Sequence, residues 1–395
     1  MQCRRLIGLN TLLLMGLLSG CSLFNREQDV VKVSPLPIVV NQFKLNQVWK
    51  QTVGQGVGSF YSRLQPAYQA GRVYVADRQG RVAALSAAKG EVIWQVKLSA
   101  PLNKRSALLS GGITLAGEQL LLSSENAEVL ALQVADGTLL WRQTVGGEVI
   151  SRPLVDQGLV LVHTNNGLLE ALDQQSGQPR WQQSLDIPVL SLRGSSNPVA
   201  SSEGIMVVGG KNGRVNALSL EQGELLWQQQ IAQPTGTTEI DRLNDVAATP
   251  VIIDNRVLAL SYHGTLSALA LHSGQVMWQR PISSASDFIV VGQQLYLVDQ
   301  ADNVIAVDSR SGVELWRQSA LRHRQLTSPT LYQGALVVGD AQGYLHGISL
   351  EEGQLVAQQK LDSSGFYSAA IVAGDRLVVQ ARKGALYLLS RQVVE

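Results

Sequence analysis

The chain has 395 residues, 45% hydrophobic and 16% charged, with 32 Lys and Arg against 31 Asp and Glu. Such a composition supplies a large core and excludes a disordered, solvating chain. Near-neutral charge without a basic block argues against a nucleic-acid surface.

At the N-terminus, Arg4 and Arg5 precede an apolar run from Leu6 to Leu18, too short to span a bilayer comfortably. Residues 1–20 therefore read as a secretory signal. Leu18-Ser19-Gly20-Cys21 follows, small residues leading into a cysteine, and resembles the lipobox at which bacterial lipoprotein signals are cut and the thiol is acylated. Several acyl chains on Cys21 would anchor the protein stably, since each buried methylene contributes about 0.8 kcal/mol and a single chain is marginal. Ser22 rather than Asp at the next position fits sorting to the outer membrane. The only cysteines are Cys3 and Cys21, so the mature chain keeps no thiol for a disulfide. Removing residues 1–20 takes two Arg and no acid, which leaves 30 basic groups facing 31 acidic ones. Residues 21–44 read as a lipidated linker and 45–395 as the folded body.

The body is repetitive. Trp stands at 49, 94, 141, 181, 227, 278 and 316, and all but the first have Gly four residues earlier: Gly90, Gly137, Gly177, Gly223, Gly274 and Gly312. Gly makes up only 37 residues of the chain, so chance would supply fewer than one such pair. A further copy, Gly353 to Ala357, keeps the Gly and replaces the Trp. Six residues before these glycines stand Ala84, Ala131, Ala171, Ala217, Ala268, Ala306 and Gly347, each followed by an aliphatic residue.

One unit, Pro198 to Gln230, shows the pattern: Ile205–Val208, the turn Lys211-Asn212-Gly213, an alternating strand Val215–Ser219, the turn Glu221-Gln222-Gly223, and Leu225–Gln230. Asn-Gly between two β-runs supplies the positive φ angles of a tight hairpin. With a strand starting near Pro198, each unit has four antiparallel strands, and no stretch sustains a 3.6-residue apolar period. Four-stranded units at this spacing mark propeller blades, whose apolar faces only neighbouring blades can cover. Seven units end at Trp94, Trp141, Trp181, Trp227, Trp278, Trp316 and Ala357. An eighth begins near Ser368 and runs out of chain, so Gln47-Val48-Trp49-Lys50 should supply its outer strand. The prediction is an all-β, eight-bladed propeller closed by its N-terminal strand, with no open sheet edge at the junction. The recurrent Trp could stack on a planar cofactor, but its repetition at equivalent positions reads as inter-blade packing.

Two connections break the repeat. Ile187-Pro-Val-Leu190-Ser-Leu192-Arg193-Gly-Ser-Ser196 precedes one blade, and Thr235 to Asp245, containing Asp241 and Arg242, precedes the next. Both join an outer strand to the following inner strand, so both should emerge side by side on one face. Long connections in compact repeat folds are usually functional. Leucines beside a guanidinium and facing acids form a combination that protein interfaces favour. Alternatively the leucines tuck inward and Arg193 pairs internally with Asp241 or Asp245.

The Gly-x-x-x-Trp repeat resembles that of the quinoprotein (PQQ-dependent) alcohol and glucose dehydrogenases, which implies a periplasmic enzyme or sensor as the rival reading. Those alcohol dehydrogenases hold the quinone with calcium and often stack it on a disulfide between adjacent cysteines, which the mature chain cannot form. His163, His263, His272, His323 and His346 lack metal-ligand spacing, and no nucleophile turn is evident. Gly209-Gly210-Lys211-Asn212-Gly213 could suggest a phosphate loop, but its place between two strands of one blade makes it a hairpin turn.

The chain also resembles, over almost its whole length, the BamB family, lipoproteins of the outer-membrane β-barrel assembly (BAM) machine. The resemblance rests on Leu18-Ser-Gly-Cys21, Val30 to Pro37, Leu190-Ser-Leu-Arg-Gly194 and Glu239 to Asp245. It implies a non-enzymatic scaffold without cofactor or metal, lipid-anchored at the outer membrane and facing the periplasm. Leu190, Leu192, Arg193 and Asp245 match family positions that bind the periplasmic POTRA domains of the central barrel component, BamA. A second acidic family position, two residues after Asp245, is Ala247 here, which leaves one polar contact unaccounted for. The resemblance also implies contact with the rest of the complex, and exposed blade edges leave room for capturing nascent outer-membrane proteins by strand addition.

Overall fold

The computed structural model describes residues 32–98 and 106–394. Cys21 and the signal segment lie outside them. Among the described residues there is no helix, and thirty-two strands form eight four-stranded antiparallel sheets. Blade 4 is typical: Val199–Ala200, Ile205–Gly209, Arg214–Ser219 and Leu225–Gln230, running from the channel outward. Its second strand is buried at every position, as expected for a sheet covered on both faces. The strand Phe43–Thr52 pairs with Ala385–Val393 and completes blade 8. The closing strand thus begins at Phe43.

The spacing of Gly and Trp has one geometric cause. Each glycine stands at positive φ in the turn before its own Trp, but its missing side chain makes room for the Trp of the preceding blade. A Cβ at Gly177 would lie 2.6 Å from Trp141 Cε3, and one at Gly223 2.5 Å from Trp181 Cε3. The indole N–H then donates to a carbonyl in the same neighbouring turn: Trp49 to Ala87 at 3.0 Å, Trp141 to Gln174 at 3.0 Å, Trp227 to Leu271 at 2.7 Å. A bulge immediately before each Trp shifts the register and turns the ring toward the next blade.

The repeat also explains its own exception. Blade 8 has no covalent turn before its outer strand, because that strand comes from the other end of the chain. No glycine seat exists there for a Trp from blade 7, and position 357 is Ala. Phe43 fills the place instead, and a Cβ at Gly347 would lie 2.6 Å from its Cζ.

Candidate functional site

Antiparallel order puts the connections between blades and the turns between second and third strands on one face of the propeller. Residues 185–198 and 231–250 lie there, and they touch: the Leu192 N–H donates to Asp245 Oδ2 at 2.8 Å. Lys211, in the hairpin turn of blade 4, is buried and donates through Nζ to the Leu192 carbonyl at 2.8 Å and to Asn165 Oδ1 at 2.8 Å. Asn165 Oδ1 also accepts from the Gly194 N–H at 3.1 Å. Gly194 has φ +104°, and a Cβ there would lie 2.5 Å from the Tyr61 ring. A side chain at 194 would therefore push the loop off its support.

Arg193, next to this fixed glycine, projects its guanidinium between two carboxylates. Its Nη2 lies 2.8 Å from Glu125 Oε2 and 2.7 Å from Glu148 Oε1. Glu125 is itself held by a bidentate fork from Arg78 at 2.9 and 2.8 Å. Phe60 packs against that second guanidinium, 4.0 Å from ring centroid to Cζ. Three blades thus converge on Arg193, while 43% of its side chain stays open to solvent. Beside it, Ile187, Val189 and Leu190 are exposed, Val189 completely. An ordered guanidinium flanked by unpartnered aliphatic groups loses little entropy on meeting a partner.

The electrostatics beneath the crest pull toward neutrality. Burial pushes the Asp245 carboxyl up to about 6, against the opposing effects of the Leu192 N–H and Lys211, and its Oδ1 has no hydrogen-bond partner. Burial likewise lowers Lys211. No close ion pair joins them, so each charge is held at a solvation cost by the loop it positions.

A family model described as the outer membrane protein assembly factor BamB matches residues 40–107, 104–318 and 300–392. The BamB of Yersinia pestis is 53% identical over 397 residues, covering 99% of this chain and 100% of that one. The chain belongs to the BamB family. The crystal structure of BamB from Moraxella catarrhalis superposes with a TM-score of 0.78 at 25% identity, covering 88% of this chain and all of that one. A europium-containing methanol dehydrogenase gives 0.72 at 13% identity, covering 89% of this chain and 95% of that one, which is a likeness of fold alone.

In this BamB-family chain the residues singled out from sequence separate into three environments. Leu190 and Arg193 form the crest and Leu192 is half-buried beneath it. Asp245 is buried and positions the Leu192 backbone. Asp241 and Arg242 are exposed on the neighbouring connection, where Asp241 accepts from the Thr238 N–H at 3.2 Å and Arg242 lies 3.7 Å from Glu239. The alternative pairing of Arg193 with Asp241 or Asp245 does not occur: its contacts are Glu125, in the hairpin turn of blade 2, and Glu148, in the connection from blade 2 to blade 3. Ala247 is buried, and its carbonyl accepts from Arg63 Nη2 at 2.5 Å. Glu125, Glu148, Asn165 and Lys211 escaped the sequence reading because they come from four different connections. Only the oddity of Gly146-Gly147-Glu148 in an otherwise short connection hinted at them.

Proposed function

We propose that this chain is a non-enzymatic scaffold of the outer-membrane β-barrel assembly machine that docks the POTRA domains of the barrel component against the 187–193 crest. A lipid on Cys21 holds it at the outer membrane, with the propeller in the periplasm. The chain's family supports its place in outer-membrane protein assembly. The observation that carries the docking surface is the crest itself: Val189 and Leu190 unpartnered beside an Arg193 already ordered by Glu125 and Glu148. A buried aliphatic anchor next to a fixed guanidinium is the pattern of an interface hot spot. Lys211, Asn165 and Asp245 act as positioning residues behind it. Asp241 and Arg242 lie on the adjoining connection, where they can contribute to the polar rim of the contact. Replacing Leu190 and Leu192 together by Ala should abolish co-purification with the barrel component from detergent-solubilised membranes. Retention of the complex by the double variant would exclude the crest as the docking surface.

A further inference from the structure

The face that carries the crest also opens on the central channel, a cavity of about 960 Å³. Residues two positions before the innermost strands, which begin at Leu154, Val199, Val251 and Ile289, stand in its wall, and four of them are chained across blades 3 to 6. Arg152 N–H donates to Asn197 Oδ1, Asn197 Nδ2 to Thr249 Oγ1, and Thr249 N–H to Asp287 Oδ1, each at 2.7 Å. This chain of bonds occupies the acceptors around Arg152. Arg63 reaches into the same wall from the segment before blade 1 and donates Nη1 to both Asp287 oxygens at 3.0 Å.

The donors are not used up. Arg63 Nε is buried without a partner. The Arg152 guanidinium makes no hydrogen bond or ion pair among the described residues, and more than a third of the residue is open. Gly112 leaves the space the two arginines share: a Cβ there would stand 3.2 Å from Arg152 Nε and 3.2 Å from the Arg63 carbonyl oxygen. Asp287 is bonded to Arg63 alone, and its charge acts on Arg152 only from a distance. The enclosing walls, and after them the charge of Arg63, pull the Arg152 pKa below its ordinary value, with Asp287 opposing. Arg63 Nε is the buried unfilled donor here, and such a group in a native structure calls for an acceptor. Tyr61, Tyr262 and Tyr367 are among the other residues that line the cavity.

We propose that the channel is a binding site for a carboxylate, gripped by the free guanidinium fork of Arg152 beside Arg63 and Asp287. A planar fork matches a carboxylate in a bidentate pair, and the tyrosines favour one carried on an aromatic or aliphatic body. The ligand is either a small free carboxylate or an acidic side chain presented by a partner docked on the same face.

The test is calorimetric titration of benzoate into the detergent-solubilised full chain. One site with a Kd on the order of 1 mM is expected, weakened roughly tenfold or more in Arg152→Gln with an unchanged thermal melt. Arg152→Lys keeps the charge and loses the fork, so it should bind severalfold more weakly than the parent, and it carries the test if the Gln variant fails to fold. Repeating the titration with saturating POTRA domains separates the sources: displacement of benzoate identifies a partner side chain as the ligand, and undiminished binding identifies a free carboxylate. The first titration does not depend on docking. No heat at about 10 mM benzoate, or equal binding by the parent and both Arg152 variants, overturns the proposal.

Discussion

The interlock between a glycine and the preceding blade's Trp can be dissected within blade 3. Gly177 and Gly158 have nearly equal backbones, φ +71° and +75°, but a Cβ at Gly177 would meet Trp141 Cε3 at 2.6 Å whereas one at Gly158 would meet nothing within 4 Å. Gly158→Ala should thus lose only the left-handed backbone penalty, about 1 kcal/mol, partly offset by reduced freedom of the unfolded chain. Gly177→Ala adds displacement of a buried indole, which overpacking measurements place at about 1–3 kcal/mol. The expected total is about 2–4 kcal/mol, and moving the ring would also disturb the Trp141 N–H bond to Gln174, 3.0 Å in the parent. Urea unfolding of both variants measures this, with a lower midpoint and an unchanged slope for Gly177→Ala. Equal losses in the two variants would show that the glycine serves its own turn and not the neighbouring blade.

Other perturbations follow from the same contacts. Trp278 Nε1 is buried without a partner, and the Ser309 carbonyl, equivalent to those used by the other indoles, accepts from Arg256 Nη1 at 3.0 Å instead. Arg256→Met should free that carbonyl and leave thermal stability unchanged or raised by up to about 1 kcal/mol; a loss above about 2 kcal/mol would contradict the account. Trp49→Ala should cost about 3–5 kcal/mol and keep a single cooperative transition, since the closing strand joins blade 8 to blade 1; an unchanged melt would refute that role. The Asp245 carboxyl, raised to about 6 in the fold, binds protons more tightly there than in the unfolded chain. Its contribution therefore favours folding below about pH 4 and fades as pH rises through 6. Stability of the parent relative to Asp245→Asn should fall by about 2 kcal/mol between pH 4 and pH 7, and a flat difference would show that Asp245 is not desolvated.

The blade count, the closure and the neighbourhood of the two long connections were all legible from the sequence, because burial on both faces forces one pattern on every blade. Gly177 and Trp181 looked like partners within one turn, and their spacing was right for a different reason: the glycine serves Trp141. Ala357 looked like a decayed copy and is instead the consequence of a chain break. Arg193 could be placed on a surface loop but not given its partners, since Glu125 and Glu148 come from a turn and a connection of preceding units, brought near only by the packing of blade on blade. Lys211 was read as part of a hairpin turn, which it is, yet its long side chain crosses into the neighbouring connection. Arg152 gave no signal at all, because one arginine before a proline looks the same whether it faces solvent or the channel.

The central claim is that the crest is a docking surface whose arginine binds a partner more than it holds the fold. Removing the Arg193 side chain leaves Glu125 on its Arg78 fork and Glu148 on Asn165 Nδ2 at 3.1 Å, so neither acid is stranded. The direct measurement is the affinity of the POTRA domains for the parent and Arg193→Ala, paired with the melt of each chain. Binding by Arg193→Ala should be weaker by about thirtyfold, roughly 2 kcal/mol, with stability changed by less than about 1 kcal/mol. Undiminished affinity, or a loss of affinity matched by an equal loss of stability, would contradict it.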